Sequence, residues 1–381
     1  MMQVDLYLDY NGSTPVDTVV ARECLDWMTA GFGNAAASHP EGLRARRAID
    51  DARAHVARLI GAEPDEIWFT SGGTESNNWA IEGTLLRAPT GHACVSAIEH
   101  KSVLRSAEYL GTRGYSVSLL PVDVAGRVRI DALERALRPD TRLVSVMLAN
   151  NETGILQPIA QISALCRARG IRFHCDAVCA IGKVPVDVRG LGCDLLSLSA
   201  HKLYAPKGVG VLYVRRGVEL DPLIHGCGQQ CGMRSGSENT PGAIAFGRAA
   251  ELALAGAFSA GEDLAKLRDE LWSGIRERFP DARVNGAGAR LPNTLSVVFP
   301  GTSSVELQAA LGALGLSVSA GAAASNGAPS HVLKAMGASD DDARATLRFS
   351  LGRFSSRATL AAVWRGLEQA VPACSGVEVR R

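Results

Sequence analysis

The chain has 381 residues and a formal net charge of +1, with 46% hydrophobic and 21% charged side chains. That length holds one large α/β domain plus a smaller one, and the balanced charge offers no basic excess for nucleic acid and no acidic excess for a basic partner. No apolar run reaches the roughly 18–20 residues that span a bilayer, and Met1-Met2-Gln3-Val4-Asp5 lacks the cationic start and apolar core of a signal peptide, so a cytoplasmic protein with no membrane partner is expected.

Helix and strand signals alternate from about residue 42 to about 215. Segment 43–60 is amphipathic, with Ile49, Ala52, Val56, Leu59 and Ile60 at helical spacing. Seven short runs then read as strands: 67–70, 93–97, 116–120, 142–148, 171–175, 194–198 and 209–214. Each is near-continuously apolar or β-branched, as strands buried on both faces are, and helical stretches lie between many of them. The pattern predicts an α/β fold with a mostly parallel seven-stranded sheet covered on both sides. Past about 245 a long helical stretch, 243–278, leads to strand-like 293–299, helical 304–314, strand-like 316–319 and helices near 330–336 and 357–370. The expected division is a large domain of residues 16–245 and a smaller α+β domain made of 1–15 and 246–381.

The nine cysteines include no CxxC pair, and their odd number in a chain of this size argues against a disulfide framework. No metal site is expected. Cys94 and Cys175 lie in apolar strand-like runs, where a thiol behaves as a small hydrophobe. Cys227 and Cys231 lie in a glycine-rich loop.

Four segments carry candidate chemistry. Ser199-Ala200-His201-Lys202 places a lysine and small polar neighbours just past a strand; alone, it reads more readily as a solvated surface lysine. Asp176 ends the run 171–175. A carboxylate there is costly unless it meets a cation, such as the protonated ring nitrogen of pyridoxal phosphate (PLP), although a helix N-cap before Ala177 is the plainer alternative. Thr70-Ser71-Gly72-Gly73-Thr74-Glu75-Ser76-Asn77-Asn78 is a strand, a tight turn and a helix start whose free N–H groups suit a phosphate. Glu99-His100-Lys101 puts an imidazole after another strand, where it can stack on a ring and move protons.

In this order the segments resemble the cysteine desulfurases and selenocysteine lyases, the NifS/IscS branch of the class-V aminotransferase-like enzymes. The resemblance also takes in Tyr7–Pro15, Phe32-Gly33-Asn34, Asn150-Asn151-Glu152-Thr153-Gly154, His201–Gly208, Arg234-Ser235-Gly236-Ser237-Glu238-Asn239 and Arg348–Arg353. It implies the fold type I of PLP-dependent transferases. It implies that Lys202 holds PLP as a Schiff base and then moves protons, and that His100 stacks on the ring as acid/base. Asp176 pairs with the ring nitrogen, and Gly73, Thr74, Ser199 and His201 hold the phosphate. Asn151 lies beside ring and substrate, Asn11 and Arg348 bind the substrate, and Ser237 reaches the phosphate from the partner subunit of a homodimer. A small amino acid is the implied substrate and a sulfur-acceptor protein the implied partner.

The sequence departs from that family at the sulfur chemistry. The family's nucleophilic cysteine aligns with Ala324 in Ser319-Ala320-Gly321-Ala322-Ala323-Ala324-Ser325-Asn326-Gly327. A methyl group cannot attack sulfur or carry a persulfide. Cys179 stands where the family has a glutamine beside the cofactor. Two expectations follow. In one, a desulfurase uses Cys227 or Cys231 as nucleophile, or Ala324 replaces a native cysteine. In the other, a related PLP enzyme makes no persulfide and is a β-eliminating lyase, epimerase, aminotransferase or biosynthetic tailoring enzyme.

Overall fold

The computed structural model describes residues 6–257, 260–321 and 328–375. A seven-stranded sheet in the order β1-β7-β6-β5-β4-β2-β3 forms its centre. The strands are β1 (Ile67–Thr70), β2 (His92–Ser96), β3 (Ser116–Leu120), β4 (Thr141–Ser145), β5 (Arg172–Asp176), β6 (Leu195–Ser199) and β7 (Gly210–Val214). Only β7 runs against the rest, pairing antiparallel with both β1 and β6. The sheet matches the expected mostly parallel class, and each strand starts within a residue of its sequence reading.

Side-chain alternation explains why these runs look continuously apolar. Val144, Leu196 and Val211 face one core with Ile49 and Val56 of α2 (Pro40–Leu59) and Phe246. Their neighbours Leu143, Leu195 and Leu212 face the other side. There they meet Trp79, Ile81 and Leu85 of α3 (Gly73–Leu85) and Val103 of α4 (Lys101–Thr112). With helices on both faces, neither set can be polar. α1 (Thr18–Ala30), absent from the sequence reading, packs on the 240–252 helix and buries only Val20 within its length.

A second sheet, β10-β9-β8, comprises β8 (Arg283–Val284), β9 (Thr294–Val298) and β10 (Thr346–Ser350), all antiparallel. Leu295, Val297, Leu347 and Phe349 share a core with Leu271, Ile275, Leu307 and Leu360 from the surrounding helices. Leu8 joins the same core, and bridges Tyr7–Ser317 and Asp9–Ser350 lay the N-terminal segment along this sheet. The strand expected at 316–319 is reduced to isolated bridges. The long helix expected over 243–278 is instead Thr240–Leu252 and Ala260–Arg278. Between them Gly256 has an extended φ of 179°, outside the helical range; glycine is a poor helix former. No helix among the described residues is long and apolar enough to cross a membrane.

The carboxyl ends of the parallel strands all point to one edge of the sheet, where open α/β folds bind ligands. Close backbone packing fixes this edge. A Cβ at Gly210 would lie 2.6 Å from Gly72 Cα and 2.7 Å from Leu198 O. Gly210→Ala therefore pushes the Gly72 turn outward. The expected outcome is a loss of about 1–3 kcal/mol in stability together with weakened cofactor retention, read by thermal unfolding and by cofactor absorbance after dialysis.

Candidate active site

The strand ends enclose a cavity of about 350 Å³. Asp176 closes β5, Ser199 closes β6, His100 follows β2 and Asn151 follows β4, while Gly73 and Thr74 open α3 after β1. His201, Lys202 and Cys179 line it from the turns after β5 and β6. Asn11 reaches it from the N-terminal segment and Arg348 from β10. Of the candidate site residues that are described, Cys227, Cys231 and Ser237 do not line the cavity of their own chain. All three are exposed. They ride on a loop pinned to the outer side of the β1–α3 turn. There the Gln230 amide pairs with the Phe69 backbone N–H and C=O, each at 2.8 Å, and Arg234 pairs with Glu75 at 2.8 Å. The loop carrying Ala324 leaves the described chain at Gly321, which lines the cavity; residues 322–327, Ala324 among them, lie outside the described residues.

Lys202 donates from Nζ to the carbonyls of Asn11 and, at 2.8 Å, Gly12. Enclosure, the largest cause, brings its ammonium down to about 8, with Lys183 and Arg348 acting in the same direction and Cys179 and Asp9 against them. Lys183 is half-buried and donates to the Cys179 carbonyl at 2.8 Å. Burial and then Lys202, Lys207 and Lys183 push His201 down to about 4. Glu99 is wholly buried, with Oε1 accepting from Met147 N–H at 2.7 Å. Burial, then the charge of Asp176, raises its carboxyl well above the usual carboxylate value.

Asp176 itself is 4% exposed. Its Oδ1 accepts from Val178 N–H at 2.9 Å and its Oδ2 from Asn77 Nδ2 at 2.7 Å. Arg348 is 3% exposed and extends Nη1 to Asn151 O at 2.9 Å and Nη2 to Asp9 Oδ1 at 2.5 Å. Its Nε has no partner among the described residues. The fork read from the sequence is thus half committed within the protein. Asn11 is also spent: Nδ2 donates to Thr294 Oγ1 and Asn151 O, and Oδ1 accepts from Asn293. It ties the N-terminal segment to both sheets and offers the cavity its backbone carbonyl. Sequence reasoning gave no role to Asn77, Ser102, Glu152 or His331, which also line the cavity. The signal for Asn77 was a polar residue on the inner face of an otherwise buried helix.

These residues fit PLP. α3 begins at Gly72 without a side-chain cap, and a Cβ at Gly73 would lie 2.7 Å from Val178. The turn is therefore a flat helix N-terminus with donors left for a phosphate. Asp176 supplies a buried carboxylate for a ring N–H⁺, and Lys202 an amine of lowered pKa for the aldehyde carbon.

A family model described as aminotransferase class-V matches residues 6–363. A cysteine desulfurase IscS of Methanosarcina thermophila is 43% identical over 356 residues, spanning 92% of this chain and 88% of that protein. One of Anaeromyxobacter sp. (strain Fw109-5) is 44% identical over 361 residues, spanning 93% and 89%. Among solved structures, a NifS-like protein superposes with a TM-score of 0.89 at 36% identity, covering 95% of this chain and 97% of that one. SspA in complex with cysteine superposes at 0.82 and 37% identity, covering 92% and 99%. The chain belongs to the class-V aminotransferase family and, like the NifS- and IscS-type proteins it matches along most of its length, is a PLP-dependent enzyme.

Proposed function

We propose that this enzyme acts on the C–S bond of L-cysteine, or the C–Se bond of selenocysteine, giving alanine and sulfur for an acceptor protein, and that it works as a homodimer. The observation that carries the reading is the convergence of Lys202, His100, Asp176 and Arg348 on one cavity. The relatives named as cysteine desulfurases, and the SspA structure holding cysteine, supply the substrate class.

Bound PLP supplies an electron sink for charge developing at the substrate α-carbon. Arg348 meets the α-carboxylate with its uncommitted Nε and, on yielding Asp9, with Nη2, which restricts the substrate to α-amino acids. Lys202, with its ammonium near 8, holds and returns the Cα proton close to neutral pH. His100 lines the same cavity and would be the imidazole near the reacting side chain. In desulfuration a thiolate attacks the substrate sulfur and the Cβ–S bond breaks. The bond's electron pair stays with Cβ, which takes a proton to give alanine, and the sulfur remains on the enzyme thiol. Ala324 cannot be that thiol. Cys179 is buried and too enclosed to carry sulfur outward. Cys227 and Cys231 are exposed, and in a homodimer their loop would serve the partner's cavity.

The position of these two thiols outside their own cavity, with alanine at 324, favours a second reading: β-elimination. There no enzyme thiol intervenes, the sulfur leaves as sulfide, and pyruvate and ammonia form.

Three measurements test these readings. Borohydride reduction and peptide mapping are expected to place a pyridoxyl label on Lys202 and to find none in Lys202→Ala; a label on another lysine removes the assignment. Arg348→Ala is expected to weaken L-cysteine binding by about 1.5–3 kcal/mol, as for a hydrogen bond to a charged group, read by spectral titration. Products from L-cysteine separate the two reactions: alanine with a persulfide detected by mass supports desulfuration, and pyruvate with sulfide supports elimination. Loss of alanine in Cys227→Ser or Cys231→Ser identifies the carrier. Alanine formed only after Ala324→Cys assigns the nucleophile to residue 324.

A further inference from the structure

A continuous hydrogen-bond relay joins Asp176 to His100. Asn77 Nδ2 donates to Asp176 Oδ2 at 2.7 Å and to Ser102 Oγ at 2.8 Å. Both amide hydrogens are therefore spent. Turning the amide over would set its oxygen against a carboxylate, so Asp176 fixes the amide. Ser102 Oγ accepts from that amide and must send its own hydrogen elsewhere; His100 Nδ1 lies 2.8 Å away. The Ser102 backbone N–H is directed at the same nitrogen, at 3.2 Å. Two donors on Nδ1 leave no place for a proton there, and the ring hydrogen belongs on Nε2.

We infer that Asn77 and Ser102 are positioning residues that hold His100 as its neutral Nε2–H tautomer, making it at rest a hydrogen-bond donor into the cavity rather than a base. Such a donor suits a sulfur atom gaining negative charge as its bond to carbon breaks. Forming the imidazolium would put a hydrogen on Nδ1, against the Ser102 N–H and in place of the Ser102 hydroxyl hydrogen. The groups facing His100 divide: enclosure, Lys202 and His331 disfavour its cation, whereas Asp176 and Glu152 favour it. The relay adds to the first side and lets Asp176 bear on His100 through oriented bonds as well as through its charge.

The chemical use of this tautomer rests on the proposed reaction; its existence does not. The test is the ring-nitrogen NMR shifts of the full-length, PLP-loaded enzyme labelled with ¹⁵N-histidine, followed across pH, with His100→Gln assigning the signals. Wild type is expected to show a protonated Nε2 and a bare Nδ1 throughout the neutral range. In Ser102→Ala the His100 titration is expected to rise by roughly half to one pH unit, the equivalent of one hydrogen bond, with the two tautomers mixing. Asn77→Ala moves it the same way, and Ser102→Thr restores it. Ser102 also lies in the first turn of α4, where His100 caps the helix. A purely structural role would lower thermal stability in Ser102→Ala and leave tautomer and titration unmoved. That result, or a protonated Nδ1 in wild type, overturns the inference. Should the enzyme leave L-cysteine untouched, the shifts still decide the tautomer, so the two readings fail separately.

Discussion

A carboxylate that is 4% exposed at the end of a buried strand cannot stand alone, and much of this active site is the set of groups that satisfy Asp176. β5 delivers it to the cavity edge. The turn that follows folds Val178 N–H back onto one oxygen, and α3 sends Asn77 to the other. Through Ser102 the same amide reaches the start of α4 and His100. Three segments far apart in sequence are thus held in register by one charge. Glu99, close by, has its acid form favoured because a second buried anion would have no comparable donors: among the described residues only Met147 N–H reaches its carboxyl, and its Oε2 is left without a partner.

The sheet was legible because its strands are buried on both faces and read as unbroken apolar runs, while the loops that end them carry the glycines and polar residues of the site. Lys202, Asp176, His100 and Gly73 were legible for the same reason: each follows such a run, where a polar residue needs an explanation. β10 escaped because a charged arginine occupies the middle of a five-residue strand, and only the tertiary fold makes Arg348 an inward-facing group opposite Leu347 and Phe349. The relay escaped because its members are joined by contacts across 25 and 99 residues, which no local pattern records. Nor did spacing reveal that Asn11 and Arg348 are largely committed to protein partners.

The division of labour between the two sheets follows from those commitments. The large sheet supplies the groups that would hold the cofactor, whereas Arg348 comes from β10, and Asp9 and Asn11 from the segment paired beside it. Asn11 binds Thr294 of β9 through its amide, Ser350 of β10 through its backbone N–H and Lys202 through its carbonyl, so the lysine and the small sheet share one support. A shift of the small sheet would therefore move Arg348 and the partners of the Lys202 amine together.

The Asp9–Arg348 pair gives that coupling a direction. In the free protein Asp9 neutralises a guanidinium that is almost wholly buried and would otherwise lack a counter-charge. An arriving α-carboxylate supplies the same charge and can take Nε, which Asp9 does not use. On the proposed role of Arg348, substrate binding exchanges one carboxylate for another at a fixed cation, with little net desolvation of Arg348. Asp9 is the more exposed member of the pair, with a side chain 26% accessible against 4% for Arg348, so water solvates it more readily when it is displaced. A neutral ligand offers no such exchange. It would leave Asp9 in place, so on that proposal the ion pair favours a ligand that carries a carboxylate.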